Sequence, residues 1–141
     1  MRRATFGVAS VLCLAALLVA GISGNTAGAD DEKDALQANT VWKGEIRQGG
    51  DTFPATIQIT ERNKDRIRGE IHFKTDSGLN KLTFQGNVID GGTVAWITDK
   101  KEGNVTHPGL YTGKVKGKTL SGNWQVPSAG QYDTFSVKLA E

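Results

Sequence analysis

One short pattern recurs along the chain: an apolar residue, a glycine two positions later, and a second apolar residue two positions after that. Polar residues separate these positions, so each copy has the two-residue period of a β-strand with one buried face. The copies begin at Trp42, Ile67, Phe84, Tyr111 and Leu120. A glycine in the buried row leaves room for a bulky neighbour and eases sharp bending of the strand. Its repetition across successive strands predicts a small closed barrel.

The first 29 residues have the composition of an export signal. Arg2 and Arg3 give a basic start, an apolar run follows over 8–22, and Ala27-Gly28-Ala29 offers a small-residue cleavage site. This order predicts a secretory signal peptide over 1–29, cleaved near Ala29, and a secreted or periplasmic mature protein of bacterial type. A retained membrane anchor is the alternative, but the apolar run is short for a spanning helix. We therefore expect no membrane insertion of the mature chain.

The mature chain is expected to be a single domain with almost no net charge. It would hold 141 − 29 = 112 residues, which suits one hydrophobic core. Loss of Arg2 and Arg3 leaves 17 − 2 = 15 basic residues against 15 acidic ones, so bulk charge gives no support to nucleic-acid binding. The only cysteine, Cys13, leaves with the signal peptide. Without a disulfide, a domain of this size needs a well-closed core.

Eight candidate strands follow an acidic linker over 30–39, and turn-forming residues separate them. Short strands at regular spacing with tight connections predict an antiparallel up-and-down barrel over 40–141, an all-β fold. A two-sheet sandwich is the structural alternative. The candidate strands are 40–47, 53–62, 65–74, 81–89, 93–99, 109–116, 119–126 and 131–139.

The two ends of this barrel are expected to differ, because alternate connections of a meander lie at the same end. Three connections are short (63–64, 90–92 and 117), whereas 48–52, 75–80, 100–108 and 127–130 are longer. We call the end with short connections the base and the end with longer connections the mouth. The inward side chains expected to plug the base are Trp42, Val88, Val94, Val115, Leu120 and Leu139. Those expected near the mouth are Phe53, Phe73, Trp96, Tyr111, Trp124 and Asp133.

The mouth residues combine flat apolar side chains with one carboxylate, which is the composition of a small-molecule pocket. Asp133 stands on an otherwise apolar row, and a charge that faces inward must be paired or hydrogen-bonded. The alternative is that these side chains cap a solid core, with Asp133 at the rim or bonded to a turn amide. The sequence therefore predicts a site for a small, largely apolar ligand, with Asp133 as its polar anchor. Its predicted ligand-binding residues are Trp96, Tyr111, Trp124, Asp133, Phe53 and Phe73.

The sequence offers little for catalysis. His72 faces outward by strand parity and His107 lies in the longest connection, so no nucleophile–base pair is evident. An enzyme would require His107 to fold over the mouth towards Asp133. Metal-ligand spacing is also absent, apart from a conceivable surface group of His107, Asp99 and Glu102. We therefore predict a binding protein with no catalytic residue, metal or cofactor.

A second prediction for the function belongs to a different class. The barrel would then be a structural or interaction module of the cell envelope or extracellular space. Its interior would be packed solidly, without a ligand, and it would act through its outer faces. The sequence does not indicate an oligomeric state.

Several segments resemble the avidin/streptavidin-like, calycin-type, eight-stranded barrels. Thr93-Val94-Ala95-Trp96 resembles the central-strand tryptophan segment of that family, and Tyr111-Thr112-Gly113 resembles its aromatic-Ser-Gly step. Gly122-Asn123-Trp124 stands where the family has its penultimate-strand tryptophan, and Asp133-Thr134-Phe135 resembles its last-strand Asp-Thr-Phe. Trp42 matches the first-strand tryptophan. The resemblance implies that Trp96, Tyr111 and Trp124 wall a ligand site and that Asp133 anchors the ligand.

The same resemblance argues against biotin as the ligand. Gly44, Ile71 and Phe73 stand where the family reads the ureido oxygen with polar side chains. Each buried hydrogen bond left unmade costs about 1–3 kcal/mol, so most of the affinity for biotin should be lost. The neighbouring lipocalin barrels carry a Gly-x-Trp motif on strand one, whereas here Gly122-x-Trp124 lies on strand seven. The resemblance therefore implies the fold of the family without its best-known ligand.

Overall fold

The computed structural model describes residues 35–141, which form one closed barrel of eight antiparallel strands. Each strand pairs with its neighbours in sequence, and the first also pairs with the last. The strands are β1 Val41–Gln48, β2 Asp51–Asn63, β3 Arg66–Thr75, β4 Gly78–Ile89, β5 Thr93–Glu102, β6 Leu110–Lys116, β7 Thr119–Val126 and β8 Gln131–Leu139. The prediction of an eight-stranded up-and-down barrel is confirmed, and the sandwich alternative is wrong.

The predicted signal peptide over 1–29 and the first part of the predicted linker lie outside the described residues. Within 35–141 the only helical elements are two 3₁₀ turns, Asp90–Gly92 and Pro127–Ala129. No helix in this part of the chain has both the length and the apolar character that a membrane crossing requires.

Closure of the barrel depends on the pairing of β1 with β8, in which Trp42 lies opposite Leu139 and Ile46 opposite Phe135. The closed sheet leaves no free strand edge. Every inward row is thereby brought into one continuous core.

The glycines of the recurring pattern make space for aromatic rings on the next strand. A Cβ atom at Gly69 would lie 2.6 Å from the Cζ atom of Phe84, and one at Gly86 would lie 2.5 Å from the Cβ atom of Trp96. The carbonyl oxygen of Gln58 would be only 1.9 Å from the same added Cβ at Gly69. The prediction that these glycines leave room for a bulky neighbour is confirmed for Gly69 and Gly86, whereas at Gly44 and Gly122 an added Cβ would meet the backbone of an adjacent strand. A larger residue at Gly69 or Gly86 would have to displace both a ring and the adjacent backbone.

The base of the barrel is filled by apolar side chains. Of the six residues predicted there, five are buried and Leu139 is partly buried. Leu36 adds a fully buried side chain, and the backbone N–H of Asn39 donates to the carbonyl oxygen of Ile59 at 2.7 Å. Leu36 lies in the segment that was predicted to be a linker. A single leucine in an acidic stretch shows no periodicity that would identify it as a core residue.

The mouth has shorter connections than the sequence predicts. The β1–β2 and β3–β4 connections are two-residue turns, 49–50 and 76–77, because β2 and β4 begin two or three residues earlier than expected. Gly49 and Gly50 adopt positive φ angles of 61° and 95°, which such tight hairpins require. The prediction of four longer connections at the mouth is therefore wrong for these two. One long loop, 103–109, borders the opening, with the shorter connection 127–130 beside it.

Candidate functional site

A cavity of about 690 Å³ occupies the mouth and opens to solvent. This volume lies within the range of small-molecule sites, about 300–1,000 Å³. Apolar side chains from β1, β2, β3, β4, β6 and β7 line it: Ile46, Phe53, Phe73, Leu82, Tyr111 and Trp124. Four of the six predicted ligand-binding residues therefore lie together in its wall, namely Phe53, Phe73, Tyr111 and Trp124.

A stack of aromatic rings forms the side of the cavity nearest the core. The rings of Trp96 and Tyr111 are 5.5 Å apart and nearly parallel at 12°, and Tyr111 lies 6.5 Å from Trp124. Phe84 and Phe135 pack against Trp96 at 5.0 and 5.7 Å. Trp96 does not line the cavity, because it lies beneath Tyr111 in this stack. Its place is that of a supporting ring, since stacked aromatics hold one another in position.

Trp124 is fixed by a hydrogen bond that crosses the seam of the barrel. Its indole Nε1–H donates to the carbonyl oxygen of Arg47 on β1 at 3.0 Å. The corresponding Nε1–H of Trp96 is buried without a hydrogen-bond partner among residues 35–141. Because the polar edge of Trp124 is already bonded, this side chain offers mainly its apolar surface to the cavity.

Asp133 lies at the rim and does not line the cavity. Its Oδ2 atom accepts a hydrogen bond from the backbone N–H of Gly49 at 3.2 Å, and its Oδ1 atom accepts one from the N–H of Thr134 at 2.9 Å. The expected inward anchor is thus bonded to a turn amide, as in the alternative given above. The physical reason is its position: Asp133 is the third residue of β8, within reach of the β1–β2 turn.

Two buried polar side chains hold the long loop against the cavity wall. The Oγ1 atom of Thr98, on β5, accepts from the N–H of Gly109 at 2.9 Å, and the Oδ1 atom of Asn80, on β4, accepts from the N–H of Asn104 at 2.8 Å. Both side chains are almost completely buried. Asn80 escaped the sequence analysis because the fourth strand was expected to begin at 81. Counting back by two from Leu82 would have placed it inward.

Ion pairs on the outer surface brace the root of the same loop. Lys81 lies 2.7 Å from Glu102 at the end of β5, and Lys101 contacts Glu70 on β3. His72 also lies 2.9 Å from the carboxylate of Glu70. The hydrogen bond from Lys101, followed by that from His72, lowers the pKa of Glu70. The hydrogen bond from Lys81 likewise lowers the pKa of Glu102, so both carboxylates are stabilised in their charged form.

Tyr111, a residue of the cavity wall, carries a polar group. Burial raises the pKa of its phenol, so the hydroxyl remains protonated over the physiological range. No hydrogen bond from this hydroxyl is found among residues 35–141. A phenol can both donate and accept, so it can serve as a polar contact for a molecule in the cavity.

The histidines do not assemble a reactive group with Asp133. His107 lies in the wall of the cavity, whereas Asp133 is bonded at the rim. Within residues 35–141 no three His, Cys, Asp or Glu side chains are arranged to hold a metal ion. The conceivable surface group of His107, Asp99 and Glu102 is therefore not formed. Glu102 instead pairs with Lys81.

Comparison with known proteins does not assign this chain to a family. A scan against protein-family models gave no match to this chain, and a search of curated proteins found none significantly similar to it. The resemblance to the avidin/streptavidin-like barrels thus stays a prediction, based on the motifs themselves.

Proposed function

We propose that this protein is a secreted or periplasmic, non-enzymatic β-barrel that binds a small, largely apolar ligand in the cavity at its mouth. Export follows from the predicted signal peptide over 1–29. The ligand-binding part rests on one observation, the 690 Å³ cavity bordered by aromatic side chains from four strands. A barrel of eight strands can either be filled by side chains or hold one small ligand. The cavity favours the second possibility over a solidly packed structural module.

The polar contact in this proposal moves from Asp133 to Tyr111. The Asp133 carboxylate already accepts two backbone hydrogen bonds and lies outside the cavity. Tyr111 lines the cavity, and its hydroxyl has no hydrogen-bond partner within residues 35–141. A ligand with an apolar body and hydrogen-bonding groups fits this arrangement, since the wall combines aromatic and aliphatic side chains with polar ones such as Asn80, Thr98 and His107.

We also infer an avidin-like ancestry of the barrel without biotin binding. The three aromatics that the resemblance assigns to a ligand site, Trp96, Tyr111 and Trp124, form one continuous stack. Phe73, at a position where the family has a polar side chain, lines the cavity as an apolar ring. Biotin would leave its ureido group without partners there, so it serves as the negative control among candidate ligands.

Thermal denaturation and tryptophan fluorescence of the purified protein, measured against a panel of small hydrophobic compounds, test the proposal. A ligand at about one hundred times its Kd stabilises the native state by about 2.7 kcal/mol, which raises Tm measurably. Binding next to Trp124 should also change the tryptophan emission. Biotin is expected to give neither effect.

Two variants locate the binding site. Phe53→Ala is expected to weaken binding with little loss of stability, because the Phe53 side chain is only half-buried. Tyr111→Phe removes the hydroxyl and keeps the ring, so it should lower affinity only for ligands with a hydrogen-bonding group. Leu79→Ala, on the outer surface of β4, is the matched control and should change nothing. If ligands bind equally well to the Phe53→Ala and wild-type proteins, the cavity is not their site.

A further inference from the structure

The outer surface of β4–β8 carries two adjacent rows of side chains without a single charge. Strand register places the residues of each row side by side. Nine of the ten are exposed and Ala95 is half-buried. The row nearer the mouth is Gln85, Ile97, Leu110, Gln125 and Tyr132, and the row below it is Asn87, Ala95, Thr112, Asn123 and Thr134. We call these ten residues the neutral face.

The absence of charge is specific to this part of the barrel. On the opposite wall, outward positions of β1 and β3 are mostly charged: Lys43, Glu45, Arg47, Arg66, Arg68, Glu70 and Lys74. The charged residues on β1 and β3 already favour solubility, so solubility does not account for the lack of charge on the neutral face. With strands about 4.8 Å apart, the face extends roughly 19 Å along the sheet, enough for several units of a linear polymer.

Tyr132 is the most exposed large apolar side chain of the described residues, at 82%. It lies directly opposite Gln125 on β7 and lines a surface depression of about 710 Å³. Leu110, Asn123 and Asp133 also line this depression. An exposed tyrosine offers a flat apolar surface and a polar tip, and both remain accessible here.

The surrounding side chains are mainly amides and hydroxyls. Each Asn or Gln amide both donates and accepts hydrogen bonds, and four of them lie in the neutral face. Neutral sugars present many hydroxyl groups at their edges and a flat array of C–H groups on one side of the ring. An aromatic side chain among amides matches both features. The lack of Lys and Arg in the face gives no attraction to an anionic polymer.

Asp133 adds a fixed acceptor at the edge of the depression. Its two carboxylate oxygens are held by the backbone N–H groups of Gly49 and Thr134. A carboxylate has about four acceptor positions, so further hydrogen bonds from sugar hydroxyls remain open to it.

A second copy of the chain fits this surface less well. The apolar side chains of the upper row, Ile97, Leu110 and Tyr132, are interrupted by Gln125 and bordered by a lower row that is mostly amides and hydroxyls. Stable interfaces bury about 1,200–2,000 Å² around an apolar centre. Ile97 and Leu110 lie side by side, but Gln125 separates them from Tyr132, so the three side chains do not form one such centre.

We propose that the neutral face binds an uncharged polysaccharide, with Tyr132 stacked on a sugar ring and Asn123, Gln125 and Asp133 hydrogen-bonded to its hydroxyls. This site lies on the outer wall, next to the cavity at the mouth. Gly49 and Trp124 border both, whereas Tyr132, Asn123, Gln125 and Asp133 line only the depression.

Affinity electrophoresis of the purified protein in native gels that contain a soluble β-glucan, mannan or xylan tests the proposal. We expect at least one of these neutral polymers to retard the protein, and polygalacturonate and dextran sulfate not to. Calorimetry with hexasaccharides of the retarding polymer then gives Kd. Tyr132→Ala should raise Kd by at least about tenfold, and Tyr132→Phe by less than about threefold, since the ring is kept.

Leu79→Ala removes an exposed apolar side chain outside the two rows and should leave Kd unchanged. Because Tyr132 is so exposed, its variants should keep the near-ultraviolet circular dichroism of the buried tryptophans. Absence of retardation by every neutral polymer would overturn the proposal, as would unchanged Kd in Tyr132→Ala. A concentration-dependent dimer in sedimentation velocity that Tyr132→Ala abolishes would instead assign the face to a second copy.

Discussion

The base and the mouth of this barrel are built from the same eight strands, yet one end is filled and the other is open. At the base the inward positions are apolar, and Leu36 and Trp42 are completely buried. At the mouth the inward rows also contain the buried polar residues Asn80 and Thr98, and a cavity of about 690 Å³ remains. The period-two pattern is the same at both ends. The difference lies in which residue types occupy the inward positions and in what they bond to.

The two ends also differ in the interactions that stabilise them. Burial of apolar surface holds the base, an effect that is non-directional and insensitive to pH. Buried amide and hydroxyl groups, with ion pairs at the loop root, hold the mouth. Substitutions at the base should therefore cost more free energy of unfolding, whereas those at the mouth should act locally on the loop.

Truncation of the base should have the largest effect. Trp42→Ala removes a completely buried indole, and we expect a loss of about 3–5 kcal/mol in the free energy of unfolding, measured by chemical denaturation. Phe73→Ala, at the mouth, should fall clearly below that range because one side of this ring already faces the cavity. Equal losses for the two variants would mean that the mouth is packed as tightly as the base.

Trp42→Phe is the control for this comparison. The indole N–H of Trp42 has no hydrogen-bond partner among residues 35–141, so the phenyl ring loses volume and no bond. Its cost should be well below that of Trp42→Ala.

The next largest effect is expected at the loop. Asn80→Ala removes a buried side chain and leaves the partly buried N–H of Asn104 without its acceptor, which should cost about 1–3 kcal/mol and speed hydrogen exchange of that amide. Asn104→Ala is the matched control. It keeps the backbone N–H and loses only the side-chain bond to the carbonyl of Ser77 on the exposed surface. If amide exchange at 104 is unchanged in Asn80→Ala, Asn80 does not hold the loop.

A smaller effect is expected from the hydrogen bond across the seam. Trp124→Phe removes the bond to the carbonyl of Arg47 along with some apolar volume, whereas Trp96→Phe removes similar volume and no hydrogen bond. We expect Trp124→Phe to lower the free energy of unfolding by about 1 kcal/mol more than Trp96→Phe in denaturant titrations. Indistinguishable values would show that the bond adds nothing to stability.

The smallest effect should depend on pH. Because its partners lower the pKa of Glu70 in the folded state, this carboxylate stabilises the fold above the unfolded pKa and loses that contribution as the pH falls through the folded pKa. Glu70→Gln should thus cost at most about 1 kcal/mol at neutral pH, since the pairs are partly exposed and screened. The difference from wild type should vanish in acid. A cost that persists there would point to packing instead of charge.

Much of the fold can be predicted from residue pattern alone. Alternation fixes which face of each strand is inward, so most of the core follows from it, and the turn-forming residues and tight connections give the strand count and the antiparallel order. The glycine positions also indicate where a neighbouring ring needs space, as at Gly69 and Gly86. Strand ends are less certain, because turn residues such as Gly49 and Gly78 can extend a hairpin as well as interrupt it.

The residue pattern predicts only part of the candidate site. Alternation placed Phe53, Phe73, Tyr111 and Trp124 near the mouth, where they line the cavity. Alternation also predicted that the Asp133 side chain points inward at the mouth. That side chain is instead bonded to the turn amide of Gly49, 84 residues away in sequence. The residue pattern does not identify Leu36 and Asn80 as buried, because neither lies within a predicted strand.

The sequence by itself determined an eight-stranded barrel with an apolar interior and aromatics towards one end, because these depend on the local period of two. Only the tertiary structure decided whether that end is filled. A cavity depends on how aromatic rings, turns and a loop from distant parts of the chain pack together. This packing cannot be recognised from the local periodicity of the sequence. The same holds for the neutral face, whose two rows exist only through the register of five strands.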